Sequence, residues 1–517
     1  MSRRRHRAAH RDRPRETAGG ERADRASGRA RAGATGTPED VGRAPRALAW
    51  SFANTVASRI GTLAIGIVLA RLLGPEEFGT FAVALVALTA ALSLNELGVS
   101  LAIVRWAGDP RLIAPTVSTI SVVSSLAVFG IAFAAAPAFA REMGDPGATP
   151  VVRLLAVAVV VSGVVATPAM VMQRQFLQRR KMLIDQVGVW LGALVSLTLA
   201  LTGTGAMSLA VGRLAGALAS AVLFLVLSPF PFRLGLDRTH VRPLLQFGLP
   251  LAGASVIVFA LGNADQLVVG GMLGSTALGF YVLAANLSSW PVNVFSQPLR
   301  SVAPAVFARL KHDPDEMRRT FTAILGVVAA VAFPVCLLLA GAASAVVPFV
   351  YGDVWAPAAA ALVWLAFFAA FRIVFELAYD YLVIAGASGV LLRIQVLSLL
   401  VVLPAQLLGA VADGIRGVAL AQAATAALVL LPLYLFHLQR AGITSVAALR
   451  RLALPAAVSA LGGAGAWAAT TTMAPAAASL TAAGGAAVVM AVLLWLDRGA
   501  LLRLRSVASP DQEEVTV

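Results

Sequence analysis

Apolar runs of about 20 residues, each long enough to cross about 30 Å of hydrocarbon as a helix, recur along most of the chain. They fall at 47–70, 80–101, 113–136, 151–172, 185–202, 206–228, 247–270, 279–299, 320–342, 357–379, 388–411, 417–437, 452–471 and 478–496. The polar residues between them are short groups, too small to fold by themselves. The pattern predicts an all-α polytopic membrane protein of about 14 transmembrane helices.

Charge supplies an independent check on that count. If the N-terminal tail is cytoplasmic, every second connection should be basic. The inner connections carry 21 Lys and Arg, and the outer ones carry only Arg71, Arg141, Arg153 and Arg416. An error in the middle of the span count would scramble this alternation. The expected topology is multi-pass in the plasma membrane with both termini cytoplasmic. Residues 1–46 hold 13 Arg against 6 acidic residues and show no apolar period, so they read as a disordered cytoplasmic tail.

The two outer turns after spans 1 and 7 echo each other. LLGPEEFGTFAVA, Leu72 to Ala84, matches MLGSTALGFYVLA, Met272 to Ala284, in Leu73/Leu273, Gly74/Gly274, Gly79/Gly279 and Ala84/Ala284, with Phe81 facing Tyr281. The offset lays spans 1–2 over spans 7–8. Six spans separate them, so both halves enter from the same side. This predicts two six-helix bundles as parallel repeats plus two extra C-terminal helices. The expected domains are 47–228 and 247–437 for the bundles, with 229–246 a cytoplasmic inter-bundle loop. Helices 13 and 14 fall in 438–497 and a cytoplasmic tail in 498–517.

Composition agrees: 59% of the 517 residues are apolar and 13% charged, against about 45–50% and about 25% in soluble domains. The net charge of +15 sits in the tail and inner loops, which argues for anionic membrane lipid rather than nucleic acid as the partner of the basic residues. Cys336 is the single cysteine, which leaves no intramolecular disulfide and no cysteine-clustered metal site.

Four stretches resemble the polysaccharide-transport (Wzx-type) oligosaccharide flippase branch of the multidrug/oligosaccharidyl-lipid/polysaccharide (MOP) superfamily. They are VLARLLGPEEFGTFAVALVAL, ELGVSLAIVR, TPAMVMQRQFLQRRKMLIDQVG, and NADQLVVGGMLGSTALGFYVLAANL followed by PLRSVAPAVFARL. The resemblance implies a flippase, not an enzyme. It would move undecaprenyl-diphosphate-linked oligosaccharide from the inner to the outer leaflet by alternating access, for capsule or exopolysaccharide. Polysaccharide polymerase machinery and membrane lipids are the implied partners, H+ or Na+ coupling stays open, and no cofactor is implied.

Such a substrate has a charged diphosphate, and arginine offers a fixed charge with forked donors. The arginines within spans are Arg59, Arg213 and Arg372. Each reads as a substrate-facing cation or as the partner of a nearby carboxylate; Arg213 also lies close enough to the outer side to snorkel. Arg372, Glu376 and Asp380 share one helix face at i, i+4 spacing. Glu376 or Asp380 could take up a coupling ion, or Glu376 could neutralise Arg372. Asp265 and Asn263, in the outer third of span 7, and Glu96, closing span 2, are further charge-partner or coupling candidates. Gly74, Gly79, Gly274 and Gly279 read as structural, for tight turns and close approach.

Three other functions fit less well. A lipid II flippase and a drug or metabolite antiporter share the superfamily's helical core. A membrane-embedded glycan polymerase or glycosyltransferase needs a sizeable catalytic outer loop. The outer acids (Glu76, Glu77, Glu142, Asp145, Asp353 and Asp413) are scattered over short segments and show no metal-ligand spacing.

Overall fold

The computed structural model describes the backbone of residues 38–508 apart from 96–97 and 107. Side chains are described from residue 61 onward, except at 62, 294–302, 305, 311, 388, 503 and 505–508. By internal contacts the chain divides into Met1–Gly61 and Thr62–Val517. Of the first unit, residues 38–61 are helical. Everything below concerns the second unit.

Its helices are α1 Leu63–Asn95, α2 Pro110–Glu142, α3 Thr149–Arg174, α4 Gln178–Leu201, α5 Ala206–Leu227, α6 Arg238–Leu273, α7 Ser275–Arg309 and α8 Pro314–Gly341. They continue as α9 Ala343–Tyr351, α10 Ala358–Ile384, α11 Ser388–Thr425, α12 Leu431–Arg440, α13 Ser445–Thr472, α14 Pro475–Leu496 and α15 Arg498–Ala508. No strand occurs among the described residues. Eleven helices there are long and apolar enough to cross a membrane by length and composition. One of these runs Gly389–Arg440, through a bend at Asp413 and Gly414 (φ 53°) where the hydropathy separates two spans. The protein is a multi-pass membrane protein. Large apolar side chains such as Val226 and Leu461 lie 73% and 75% exposed, as lipid-facing residues must.

Helix starts follow local chemistry. Asp109 caps α2 by accepting from the Arg111 N–H at 2.9 Å, ahead of Pro110 in the first turn. Asp313 does the same for α8, accepting from Glu316 N–H at 3.0 Å beside Pro314.

In the first half α2 packs on α3, α3 on α5, and α4 on α5. The α4/α5 pair is the closest. A Cβ on Gly212 would lie 2.5 Å from the Gly192 carbonyl oxygen, and one on Gly216 would collide with the Gly188 carbonyl oxygen, so only glycine fits. In the second half α10 is central, against α7, α8 and α11, while α6 packs on α11. Helices α13 and α14 pack on α8. They touch neither α6 nor α7 in any substantial contact.

The halves meet at the two echoed turns. Gly74 (φ 73°, ψ 176°) and Gly274 (φ 84°, ψ 176°) share one backbone conformation that side-chain-bearing residues avoid. Five residues on, Gly79 lies against Ser275, and Gly279 lies against Pro75 and Gly79 itself. The contact is reciprocal, as a twofold relation demands. Trp355 wedges beside it, edge-on to Phe78 (5.5 Å) and Phe280 (5.8 Å), and its indole N–H donates to the Ala70 carbonyl at 3.1 Å. Arg71 donates through Nε to the Val350 carbonyl at 2.7 Å. Thr80 donates to Asp145 at 2.6 Å, and Glu77 accepts from the Ala206 N–H at 2.6 Å. These bonds cross-link this turn end.

The opposite, basic end is tied by the linker from Ser228 to Asp237. Thr119 Oγ1 donates to the Gly235 carbonyl (2.8 Å) and accepts from its N–H (3.0 Å); the Asp237 N–H donates to Thr116 Oγ1 (3.1 Å). The linker is thereby fastened along α2.

Candidate functional site

Two polar sites lie within the helices, one in each half. In the first, α1, α3, α4 and α5 surround a cavity of about 570 Å³. Its wall includes Phe81, Val161, Ser162, Asp185, Arg213 and Ser220. The glycine-paired α4 and α5 bring small residues to this face, so the Arg213 guanidinium has room. Arg213 makes no ion pair among the described residues. Asp185 lines the same cavity, but Lys181 holds it at 3.2 Å. A cation within a span and without its own carboxylate is costly unless water or an anion solvates it.

The second site joins α6, α7, α10 and α11. The Tyr281 hydroxyl lies 2.9 Å from Asp265 Oδ2 and 3.1 Å from Gln422 Oε1, so one O–H is shared between two acceptors. The Gln266 backbone N–H donates to Asp265 Oδ1 at 2.8 Å. Tyr281 is wholly buried and Asp265 half-buried. Arg372 lies near enough for its charge to act on Asp265. Its Nε is 3.1 Å from Glu376 Oε1, with side chains 45% and 18% exposed. That pair is the neutralisation that the i, i+4 spacing allowed.

The other sequence candidates are placed separately. Asn263 turns back on its own helix, donating to the Phe259 carbonyl at 3.0 Å. Asp380 is buried one turn beyond Glu376, towards the basic end. Glu96 and the side chain of Arg59 lie outside the described residues. Among the described residues no group of three or more His, Cys, Asp or Glu is placed to hold a metal ion.

Sequence reasoning passed over Tyr281 and Gln422. A signal for Tyr281 was present: it stands where the first repeat has Phe81, so one half of an apolar echo carries a hydroxyl. Gln422 gave none, being a single amide in an Ala-rich run.

The family model described as "Polysaccharide biosynthesis protein" matches residues 68–360, more than half of the chain. The chain belongs to this family. The match runs from the end of span 1 through the start of α10, so it contains both echoed turns, Arg213 and Asp265. Among curated members of the wider group, the lipopolysaccharide biosynthesis protein WzxC of Escherichia coli (strain K12) is 26% identical over 290 residues, 56% of this chain and 59% of WzxC. The succinoglycan biosynthesis transport protein ExoT of Rhizobium meliloti (strain 1021) is 25% identical over 317 residues, 60% of this chain and 63% of ExoT. The chain therefore spans about three fifths of the length of these relatives. Its fold is similar to that of the lipid II flippase MurJ in an inward closed conformation. The TM-score is 0.71 at 12% identity, over 86% of this chain and 99% of that one. An inward-facing multidrug resistance MATE transporter of the MOP superfamily gives 0.57 at 16% identity, over 74% and 93%. These likenesses carry the fold alone: a polytopic helical architecture.

Proposed function

We propose that this protein is a Wzx-type flippase. It moves undecaprenyl-diphosphate-linked oligosaccharide repeat units from the inner to the outer leaflet of the plasma membrane, for capsule or exopolysaccharide. The observation that carries the reading is Arg213: an arginine with no ion pair among the described residues, lining a cavity between membrane helices, in a chain of the polysaccharide biosynthesis family. A diphosphate is the chemistry that matches an uncompensated guanidinium, through bidentate, charge-assisted bonds. The printed names of WzxC and ExoT favour a glycan substrate. The lipid II flippase likeness, at 12% identity, carries no substrate.

The topology proposed is fourteen spans with both termini cytoplasmic, in two six-helix bundles, 47–228 and 247–437, and helices 13 and 14 beside them. The basic end then faces the cytoplasm and the cross-linked turn end faces outward. Arg213 takes the diphosphate, and the glycan occupies wet space beside it. Alternating access follows from separating the two glycine turns while the basic end closes. Asp265, held by the Tyr281 hydroxyl and the Gln266 N–H, takes up the coupling proton or sodium ion, and Arg372 with Glu376 sets the charge beside it. The delivered repeat unit passes to polysaccharide polymerase machinery.

The test is leaflet-resolved labelling of the lipid-linked oligosaccharide in a strain lacking the gene. The intermediate should accumulate on the cytoplasmic leaflet and return to the outer one on complementation. Undiminished outer-leaflet delivery in the deletion strain, with no second carrier present, rejects the reading.

A further inference from the structure

A second cavity, of about 390 Å³, lies at the basic end of the first half, between α2, the end of α3 and the linker. It shares no residue with the Arg213 cavity. Its lining combines two cations and three hydroxyls: Arg111, Arg233, Ser118, Thr167 and Ser228. No carboxylate lines it.

Two of those hydroxyls are anomalous. Thr167 is 6% exposed, and its Oγ1 is buried without a hydrogen-bond partner. A threonine in a helix ordinarily satisfies its hydroxyl on the carbonyl three or four residues back, as Thr425 does here at 2.7 Å to the Ala421 oxygen. Thr167 does not. Ser228 Oγ, on the facing linker, is likewise buried and unpartnered. A buried hydroxyl without a partner is costly, so two lining one cavity mark a place where a polar ligand is missing.

The cations are already positioned. Arg111, in the first turn of α2, stacks on the Phe230 ring with its guanidinium carbon 5.0 Å from the centroid. That stacking leaves the guanidinium edges free to donate. Arg233 stands on the linker, and the bonds from Thr116 and Thr119 fix that linker against α2. The cavity therefore has rigid walls, donors on two sides and a net positive charge.

We propose that this cavity binds a phosphate group, with Arg111 and Arg233 carrying its charge and Thr167 and Ser228 donating to its oxygens. The volume is at the small end of ligand cavities, about 300–1,000 Å³. It suits a phosphate or a glycerophosphate headgroup and excludes an oligosaccharide. The phosphate comes either from a phospholipid of the leaflet at that end or from a soluble anion. Because the site straddles α2 and the linker between the halves, its ligand fastens the linker further.

The experiment uses the purified, delipidated full-length protein. Native mass spectrometry with phosphatidylglycerol, and thermal shift with inorganic phosphate, measure the two sources separately. Wild type should retain phosphatidylglycerol or be stabilised by phosphate. Arg233→Gln should weaken that binding by about tenfold, the loss of one charge-assisted contact. Thr167→Val, which keeps the side-chain shape, should weaken it by a few fold while leaving the ligand-free unfolding temperature unchanged or raised. Binding of phosphatidylglycerol alone assigns a lipid headgroup; a response to phosphate as well assigns the phosphate itself. Failure of wild type to bind either, or binding indifferent to both substitutions, overturns the proposal.

Discussion

The two halves are most alike where they touch and least alike where they carry charge. At the turn end, Gly74 and Gly274 hold the same backbone angles, and Gly79 and Gly279 press on each other's turns. Inside the helices the symmetry is gone. Arg213 lines an open cavity with no ion pair among the described residues, while Arg372 is held by Glu376 at 3.1 Å beside the Asp265–Tyr281–Gln422 cluster. The echoed turns thus keep their contact in register while the chemistry divides, a cation with no ion pair among the described residues in one half and a neutralised polar cluster in the other.

The contact can be broken symmetrically. Cβ atoms on Gly79 and Gly279 would stand close to backbone oxygens of Ser275 and Pro75, which cannot swing aside. Gly79→Ala and Gly279→Ala should each destabilise this packed arrangement by about 1–3 kcal/mol, as overpacking does. Thermal unfolding in detergent should show two similar drops, with the double variant falling short of their sum because one contact is shared. A large drop for one glycine and none for the other would remove the reciprocity.

The charges should respond unequally. Arg213→Ala should cut transport of the lipid-linked substrate by about tenfold or more at unchanged membrane abundance, and Arg213→Lys should retain part of it. Arg372→Ala strands Glu376, so it should lower stability more than transport. Adding Glu376→Ala should recover much of that loss, since a pair is better removed whole than halved. Equal transport defects from Arg213→Ala and Arg372→Ala, with no recovery in the double variant, would erase the division between the halves.

Much of this was legible in the chain. Hydropathy placed the helices because a membrane span must be long, apolar and helical whatever it packs against. The 388–411 and 417–437 runs are separated by a bend at Asp413 and Gly414 rather than a loop, a distinction that hydropathy does not make. The short helix Ala343–Tyr351 escaped notice because nine apolar residues merge into the run before them. The Arg372–Glu376 pair was readable because both partners sit on one helix. Tyr281 with Asp265 and Gln422 was not, because the partners stand 16 and 141 residues away and only packing brings them together. The approach of α4 to α5 at Gly188, Gly192, Gly212 and Gly216 was not read from the sequence, because the facing carbonyls that require glycine belong to the partner helix.

The hydroxyl in that cluster gives a smaller, sharper test. Tyr281→Phe restores the residue type of the first repeat and removes one shared O–H. Stability should fall by about 1 kcal/mol, leaving Asp265 with its Gln266 N–H bond alone among these contacts. The reciprocal change, Phe81→Tyr, places a hydroxyl where no such acceptor pair was built. If both variants behave alike, Tyr281 is packing and not part of a polar site.

The smallest effect is expected at the junction of the halves. Asp237 caps α6, accepting from the Thr239 hydroxyl at 2.6 Å and its N–H at 2.9 Å, and lies 2.9 Å from His240 Nδ1. The Thr239 bonds, aided by His240, hold its carboxyl below the ordinary value of 3.8. A carboxylate whose folded value is depressed adds stability above the unfolded value and loses it as the pH falls through the folded one. Asp237 is solvent-exposed, so the contribution is small. Asp237→Asn should unfold at a slightly lower temperature than wild type at pH 7, and the gap should close as the pH drops below 3.8. A gap that persists into acid would assign the loss to the linker's other bonds, through Thr116 and Thr119, and not to the charge that caps the helix.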